Sequence, residues 1–414
     1  MSVPALRFKE FSGDWEAKII GDFILSHKGG ASLKPSDFIA NDGFEVIPKK
    51  AISSGGNLKL DETEPTYCKG EFFLANLQSV VDKGFLITTL RDLVPSGPSI
   101  GYVVKFISDK KYILAQGVYG IQIKKELEEE FLIQYSNTDN YRKLMQTMMV
   151  GSTQVHIRNG DFFQTPFCVP SLPEQTKIAN FLTAVDEKIS ILNQKAKLLS
   201  QYKKGVMQQI FSQELRFKDD DGQEFPEWDV IELETIATKV TKKNKGLDIN
   251  EVLTNSATQG IVSQSDYFDR EIANQKNLSG YYVVEVNDFV YNPRISSHAL
   301  VGPIKRNNLK VGVMSPLYTV FRFKEGNLVF FEQYFQTTQW HDYMKSVSNS
   351  GARHDRMNIT NESFIGMPLP YPSLPEQTKI ANFLTAVDDK ITINQTQLNA
   401  LKQYKQGLLQ QMFV

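Results

Sequence analysis

The sequence predicts an α+β protein in which two globular α/β domains alternate with two long helices. The helices are expected to pair as an antiparallel coiled coil with pseudo-twofold symmetry. The segment from Pro170 to Asp186 recurs unchanged from Pro372 to Asp388, and such a repeat fixes architecture before any local pattern does. Apolar residues recur every seven positions after each copy. The stretches before each copy hold short β-like runs separated by glycine, asparagine and proline, notably at 84–90, 102–107, 281–286 and 317–323.

Each copy has the residues expected at the start of a helix. Ser171 precedes Glu174 by three positions, and Ser373 precedes Glu376 in the same way. This is the spacing of a capping box, in which the serine side chain caps the first turn. A proline stands in each first turn, where a missing N–H costs nothing. We therefore expect each helix to begin inside the repeat.

The heptad pattern predicts how the helices pair. The first helix has five apolar residues at one seam position, namely Ile178, Val185, Leu192, Leu199 and Val206. A seven-residue period that does not drift favours a left-handed coiled coil over a helix lying with one 3.6-period face on a globular core. Asn394 takes the seam position that Leu192 has in the first helix, and we expect it to fix the register. Lys203 and Lys405 take seam positions near the helix ends, where their ammonium groups are expected to reach water.

The length of the helices predicts their relative direction. A helix of about 38 residues is roughly 55–60 Å long. Parallel helices would require the second domain to carry the chain back over that length. Antiparallel helices leave the two ends of that domain side by side, as is usual. We therefore expect globular domains at residues 1–169 and 214–371, and long helices at residues 170–213 and 372–414.

Composition excludes several classes of protein. The chain has 414 residues, and no apolar N-terminal segment or long apolar run interrupts it. These features predict a cytoplasmic protein that does not bind a membrane. The two cysteines, Cys68 and Cys168, form no CxxC motif, so we expect neither a disulfide framework nor a metal site. The formal net charge is −1, so any surface that binds nucleic acid must be local.

Two related but different domains, inverted with respect to each other, match a split site on duplex DNA. Protein symmetry mirrors operator symmetry in dimers that bind DNA. Arginine suits base edges, and lysine in loops suits phosphates. The candidate DNA contacts are Arg91, Lys105 and Arg158 in the first domain and Lys242, Lys243, Arg294, Arg353, His354 and Arg356 in the second. For each of these residues, a solvated surface charge is the alternative.

Positions predicted to face away from the seam are also unchanged between the two copies, although a coiled coil demands sameness only at the seam. These candidate partner contacts are Glu174, Gln175, Lys177 and Asn180 in the first helix and Glu376, Gln377, Lys379 and Asn382 in the second. We interpret them as two docking sites for copies of one protein. A recent duplication that left the sequence unaltered is the alternative.

These features together resemble a known family. The block Pro-x-x-x-Glu-Gln-x-x-Ile-Ala occurs twice after two variable domains, a tryptophan stands near the start of each domain, and Ser350-Gly351-x-Arg353 precedes the second helix. This combination resembles the specificity subunit of type I restriction-modification enzymes. The first domain departs from the pattern, because Thr153 stands where the second has Arg353. A contact inferred for Arg353 therefore cannot be transferred to the first domain.

The resemblance implies a function. Each domain would be a target recognition domain that reads one half of a split sequence in double-stranded DNA. The coiled coil would be the spacer and the docking site for two modification subunits, which carry S-adenosylmethionine and methylate adenine. A restriction subunit, a motor and nuclease, would join them.

Two other functions stay open at this point. The chain could be a coiled-coil scaffold whose domains bind proteins or glycans. It could also be a nuclease, because 186–188 and 388–390 each resemble the acidic-x-Lys end of a nuclease metal site, although no upstream acidic partner is apparent. No glycine-rich nucleotide loop is present. We therefore expect a noncatalytic chain without a cofactor.

Overall fold

The chain divides into two compact units, and each contains parts of both long helices. In this computed structural model, residues 3–267, 275–349 and 355–414 are described. Unit 1 comprises Met1–Lys195 and Asn394–Val414, and unit 2 comprises Ala196–Ile393. We call the globular part of unit 1 before residue 170 head 1, and the globular part of unit 2 from residue 214 to residue 371 head 2.

Among its described residues, head 1 has thirteen short strands and four short α-helices. The strands are β1 (Glu16–Ile19), β2 (Ile24–Gly29), β3 (Phe38–Ile39), β4 (Phe44–Ile47), β5 (Tyr67–Cys68), β6 (Val80–Val81), β7 (Leu86–Thr89), β8 (Arg91–Asp92), β9 (Val103–Lys105), β10 (Tyr112–Leu114), β11 (Val118–Ile123), β12 (Val155–His156) and β13 (Pro166–Val169). The helices are α1 (Gly70–Ala75), α2 (Glu129–Tyr135), α3 (Asp139–Met148) and α4 (Asn159–Phe163), followed by the long helix α5 (Leu172–Phe211). A four-stranded sheet has the order β2-β11-β7-β9, a five-stranded sheet has the order β3-β5-β4-β10-β6, and β1-β13 and β12-β8 form two-stranded pairs.

Head 2 has ten strands and five short helices among its described residues. The strands are β14 (Asp229–Glu232), β15 (Ala237–Lys239), β16 (Leu253–Ser256), β17 (Gly260–Ser263), β18 (Tyr282–Val284), β19 (Phe289–Tyr291), β20 (Ile304–Arg306), β21 (Gly312–Met314), β22 (Thr319–Phe323) and β23 (Pro368–Tyr371). The helices are α6 (Leu233–Ile236), α7 (Gln264–Tyr267), α8 (Leu328–Tyr334), α9 (His341–Val347) and α10 (Asn361–Ile365), followed by the long helix α11 (Leu374–Met412). The main sheet has the order β15-β22-β19-β20, and β14-β23, β16-β17 and β18-β21 form pairs. The β-like runs of the sequence are thus confirmed as strands in both heads.

Within each unit, the long helices run in opposite directions. In unit 1, Ile178 and Leu182 near the start of α5 share a core with Leu408 and Met412 near the end of α11. In unit 2, the end of α5 packs in the same way on the start of α11. The apolar seam predicted from the heptads is therefore confirmed.

Each head shares one apolar core with the helix pair of its own unit. In unit 1, Trp15, Phe131 and Phe167 of the head lie with Phe413, which directly follows α11, and the ring centroids of Phe131 and Phe413 are 5.1 Å apart. Aromatic pairs at such distances contribute beyond the area that they bury. The cores of unit 2 are arranged similarly, with Phe211 of α5 against the head. Helix and head in one unit are therefore not independently folded parts.

The polar seam residue lies where the heptads place it. Asn394 is buried, and its amide nitrogen donates to the carbonyl oxygen of Leu192 at 3.0 Å. A buried polar group that finds a partner in only one register penalises the others. The seam lysines differ from expectation, since Lys203 and Lys405 do not reach out to water. Their side chains are 13% and 12% exposed and pair with Asp388 and Asp186 within their own units.

The predicted capping boxes are wrong. The hydroxyl of Ser373 has no hydrogen-bond partner among the described residues, and Glu376 accepts from Arg216 and Trp228. At the start of α5, Glu174 is likewise bound by an arginine, Arg7. A guanidinium fork binds a carboxylate with two charge-assisted hydrogen bonds, so it outcompetes the backbone N–H that a capping box would offer.

Candidate nucleic-acid and partner interfaces

In head 1, the candidate arginine lies on a short strand pair. Arg91 on β8 is opposite His156 on β12, and its guanidinium donates to the side chain of Gln154 at 2.7 Å. Gln154 lies in the turn before β12. Arg158 lies exposed just after β12, immediately before α4. Strand pairing thus brings Arg91 and the segment around Arg158 together, although 66 residues separate them in sequence.

Lys105 is not a free cation. Its ammonium group lies 3.2 Å from Glu129 and 3.1 Å from Glu130. Burial lowers the pKa of Lys105, but the hydrogen bonds and charges of the two glutamates outweigh burial and raise it. Two carboxylates of its own head therefore neutralise this lysine, which argues against its assignment as a DNA contact.

Two lysines that the sequence did not single out lie near Arg91. Lys49 and Lys50 follow β4, and they line a depression beside the loop that follows Arg91. Burial lowers the pKa of Lys49, and the positive charge of Arg91 lowers it further. The basic surface of head 1 is therefore assembled from two segments that are 42 positions apart.

In head 2, two candidate arginines are brought together. Arg294 and Arg356 form an antiparallel bridge, which backbone hydrogen bonds on both sides extend, from Ile295 to Asp355 and from Met357 to Pro293. Arg294 is exposed. The Nε of Arg356 is buried without a hydrogen-bond partner among the described residues.

Two further candidates, Arg353 and His354, lie outside the described residues. Lys242 and Lys243 are both exposed and follow β15. The carbonyl oxygen of Lys242 accepts from Val283 at 2.8 Å, and Lys243 bridges to Tyr282. These backbone contacts hold the lysine segment against β18 and leave both ammonium groups on the surface.

Four of the candidate partner contacts do not face outward. Glu174, Gln175, Glu376 and Gln377 are at most 2% exposed. Each glutamate pairs with the arginine that opens its own head, with the closest contacts at 2.7 Å in unit 1 and 3.0 Å in unit 2. The outward orientation expected for these four residues is therefore wrong, because the head covers the side of the helix that the coiled-coil pattern leaves open.

The two glutamines bind backbone groups of their own units. The side-chain oxygen of Gln175 accepts from the N–H of Glu128 at 2.9 Å, and that of Gln377 accepts from the N–H of Asn327 at 2.8 Å. Their amide nitrogens donate to the carbonyl oxygens of the prolines that open the repeats. Packing inside each unit therefore explains why the two copies of the repeat have the same residues at these positions.

A second set of repeated residues does lie on the surface. Lys177, Asn180 and Asn382 are exposed, and Lys379 is partly exposed. Lys177 pairs with Glu10, and Lys379 lies 2.8 Å from Asp220. Leu172 and Leu374, on the same first turns, are 41% and 57% exposed. Both long helices therefore present the same mixed apolar and polar surface near their N-termini, which we call the repeated helix face (residues 172–180 of α5 and 374–382 of α11).

Two searches for other kinds of site found nothing in the described part of the chain. No three histidine, cysteine, aspartate or glutamate residues there are grouped so that they could hold a metal ion. None of the helices in the described ranges combines the length and the apolar character that crossing a membrane requires.

Comparison with known proteins identifies the family. The family described as Type I restriction modification DNA specificity domain matches the chain twice, at residues 12–201 and 226–403. The type I restriction enzyme MjaVIII specificity subunit of Methanocaldococcus jannaschii is 21% identical over 426 residues, which cover 97% of this chain and 94% of that protein.

Solved structures show the same fold. The S subunit of a type I restriction-modification system from M. genitalium superposes with a TM-score of 0.58 at 15% identity, over 100% of this chain and 99% of that one. A chain from a study of complex assembly and conformational transition of the type I R-M system has a TM-score of 0.52 at 15% identity, over 95% and 96% of the two chains. The two family matches together cover most of the sequence and include both heads and parts of both long helices. The chain therefore belongs to the family of type I restriction-modification DNA specificity subunits, which are DNA-recognition components and not catalytic ones.

Proposed function

We propose that the chain reads a bipartite DNA target, with one head recognising each half. Residues 1–169 and 214–371 would be the two target recognition domains. The observation that carries this proposal is the duplication itself. Each unit holds its own head with an arginine on paired strands at the surface, the partly exposed Arg91 in one and the exposed Arg294 in the other. The two heads differ in sequence, so the two half-sites need not match.

Direct readout supports a role for these arginines. Arginine recognises guanine through two hydrogen bonds in the major groove, and such a contact contributes about 1–3 kcal/mol of discrimination. In head 1, the bond from Arg91 to Gln154 uses one terminal nitrogen of the guanidinium. That bond orients the group and leaves other N–H donors for a base. Lys242 and Lys243 suit phosphates, because they are exposed point charges on an anchored segment.

Separate substitution of the two arginines tests the proposal. We expect Arg91→Ala to weaken recognition of one half-site by about 1–3 kcal/mol and Arg294→Ala to weaken recognition of the other. The assay is binding of the assembled complex to duplexes in which one half-site at a time is scrambled, at several salt concentrations. Lys105→Ala is the control, and it should leave both half-sites unchanged because its charge is neutralised within the head. Equal loss at both halves for either arginine would contradict the proposal. An affinity for DNA that does not fall as the salt concentration rises would favour a protein-binding scaffold.

We further propose that the repeated helix face binds two modification (methyltransferase) subunits and, through them, the restriction (motor-nuclease) subunit. Contacts inside each unit explain why the buried residues are the same in both copies of the repeat. They do not explain why Asn180 and Asn382, which are exposed, are the same. Two equal surfaces fit two copies of one partner. The chain itself would need no cofactor, since the modification subunits would bring S-adenosylmethionine.

The number of bound partners tests this part. We expect two modification subunits per chain by light scattering, and one after either Asn180→Arg or Asn382→Arg, because a long charged side chain disrupts a close-packed contact. Asn193→Arg is the matched control, since this exposed asparagine of α5 is replaced by glutamine at the equivalent position of α11. One partner per wild-type chain would refute two-site docking. Loss of a partner in the Asn193 variant would show that the surface is assigned wrongly.

A further inference from the structure

An apolar side chain projects from the surface beside Arg91. Leu93 follows β8 and is 61% exposed, and its neighbour Val94 is 45% exposed. Single exposed leucines are ordinary, but this one lies on a loop that is held in place, and it shares a depression with two lysines.

The loop after Arg91 is fixed by side chains on both of its flanks. The carboxylate of Asp92 accepts from the N–H groups of Leu93, Val94 and Ser99 and from the hydroxyl of Ser99, at 2.6–3.3 Å. Burial raises the pKa of Asp92, but these hydrogen bonds outweigh it and lower the pKa overall. The carboxylate therefore stays ionised and holds the loop at neutral pH.

The far end of this loop is anchored by Arg142. Its guanidinium donates to the carbonyl oxygens of Ile100 and Pro98, at 2.6 and 3.2 Å, and lies over the ring of Tyr102 at 3.7 Å. The exposed leucine is therefore presented by a fixed loop, and its ordering cost on binding is small.

Two lysines lie in the depression beside Leu93. Lys49, Lys50, Asp92 and Leu93 are among the residues that line one depression of about 370 Å³. Arg91 and Lys49 meet over Gly117, where a Cβ would lie 2.7 Å from the Cβ of Arg91 and 3.2 Å from the Cε of Lys49. Gly117 has a φ of +86°, so both conformation and space favour glycine there. Two lysines outnumber the one carboxylate, that of Asp92, which is already held by the N–H groups of its own loop, and Arg91 adds a third cation. The net positive charge beside the apolar tip complements a polyanion better than an apolar protein surface.

Head 2 repeats the feature with different residues. Leu300 follows the Arg294 strand bridge and is 64% exposed. Ser296 and Ala299 exchange backbone hydrogen bonds at 3.0 and 3.1 Å, and the hydroxyl of Tyr291 donates to Val301 at 2.9 Å. Each head thus places an exposed leucine on an anchored loop next to its candidate arginine.

We propose that Leu93 packs on the methyl group of a thymine in the major groove while Lys49 and Lys50 bind the adjacent phosphates. The thymine methyl is the apolar group on the base edges of that groove, and lysines suit the flanking backbone. Leu93 is then a specificity-determining residue that acts beside Arg91. This inference rests on the proposed reading of one half-site by head 1.

Thymine-to-uracil substitution tests the contact, because it removes only the methyl group. In the half-site that Arg91→Ala affects, each thymine is replaced by uracil in turn, and affinity is measured for the assembled complex. For the wild-type chain, we expect one position to lose about fourfold, which corresponds to one buried methyl group. For Leu93→Ala, uracil at that position should cause no further loss. Leu25→Ala removes an equally prominent leucine of β2 that does not line the depression, and it should keep the fourfold loss.

The outcomes separate this inference from the function on which it rests. If wild-type binding stays sequence-specific and no thymine is sensitive, or the sensitivity survives in Leu93→Ala, the contact is refuted alone. If Leu93→Ala weakens binding but no methyl group matters, the leucine acts as a wedge and the proposal is equally refuted. If the wild-type complex shows no sequence preference at all, the proposed function fails, and this inference fails with it.

Discussion

Replacing Glu376 by alanine is expected to lower the free energy of unfolding by about 3–5 kcal/mol, because it breaks a buried ion pair on one side. Glu376 is fully buried, and it accepts from the guanidinium of Arg216 at 3.3 and 3.0 Å and from the indole N–H of Trp228 at 3.0 Å. Alanine would remove the carboxylate that accepts from the Nε of Arg216 and from the indole N–H of Trp228 inside the core of unit 2. Urea unfolding followed by circular dichroism measures the effect.

The same arginine supplies the control for this prediction. Arg216 also contacts Glu227 at 3.3 Å, but the side chain of Glu227 is 91% exposed. Glu227→Ala should cost less than about 1 kcal/mol, as exposed ion pairs do. Equal losses for the two variants would show that burial does not make Glu376 important. The contact would then not be the reason that the repeat keeps this glutamate.

Asp186→Ala is the second large effect, with an expected loss of about 2–3 kcal/mol. Asp186 lies 2.6 Å from the ammonium group of Lys405 and accepts from Gln134 at 2.8 Å, so it joins α5, α11 and head 1 within unit 1. The side chain of Lys405 is 12% exposed. Without the carboxylate, its charge lacks a partner in the helix seam. The expected loss of free energy of unfolding is smaller than for Glu376, because the side chain of Asp186 is 29% exposed.

A double-mutant cycle isolates the pair. In Asp186→Ala combined with Lys405→Met, no charge is left unpaired, and replacing both partners of a buried pair by apolar groups is often nearly neutral. We expect the double variant to lose less than half of what Asp186→Ala loses, by the same urea titration. Losses that simply add would indicate that the two residues are not coupled.

The general plan could be predicted from the sequence because the repeat and the heptad period are strong, local signals. The seam at Ile178 and Val185 and the place of Asn394 follow from a seven-residue period alone. The partners of polar residues could not be predicted in this way. Lys203 and Lys405 pair with aspartates that lie 185 and 219 positions away in sequence. No periodicity encodes such a contact.

The candidate sites show the same limit. Glu174 and Gln175 lie off the seam, so the heptads place them outward, but the head of the same unit covers them. From the sequence, Lys105 is a surface cation, but in the fold Glu129 and Glu130 of α2 pair with it. Conversely, Lys49 is recognised as part of the basic surface of head 1 only when folding places it beside Arg91. Surface assignments therefore need the packing of head on helix, which sequence spacing does not contain.

Mapping methylated adenines across the genome of cells that carry this chain with its modification subunit tests whether each head reads its own half-site. We expect one motif made of two defined halves separated by a fixed number of unspecified bases, with Arg91→Ala relaxing one half and Arg294→Ala relaxing the other. A continuous motif, or both variants relaxing the same half, would contradict the assignment of one half-site to each head.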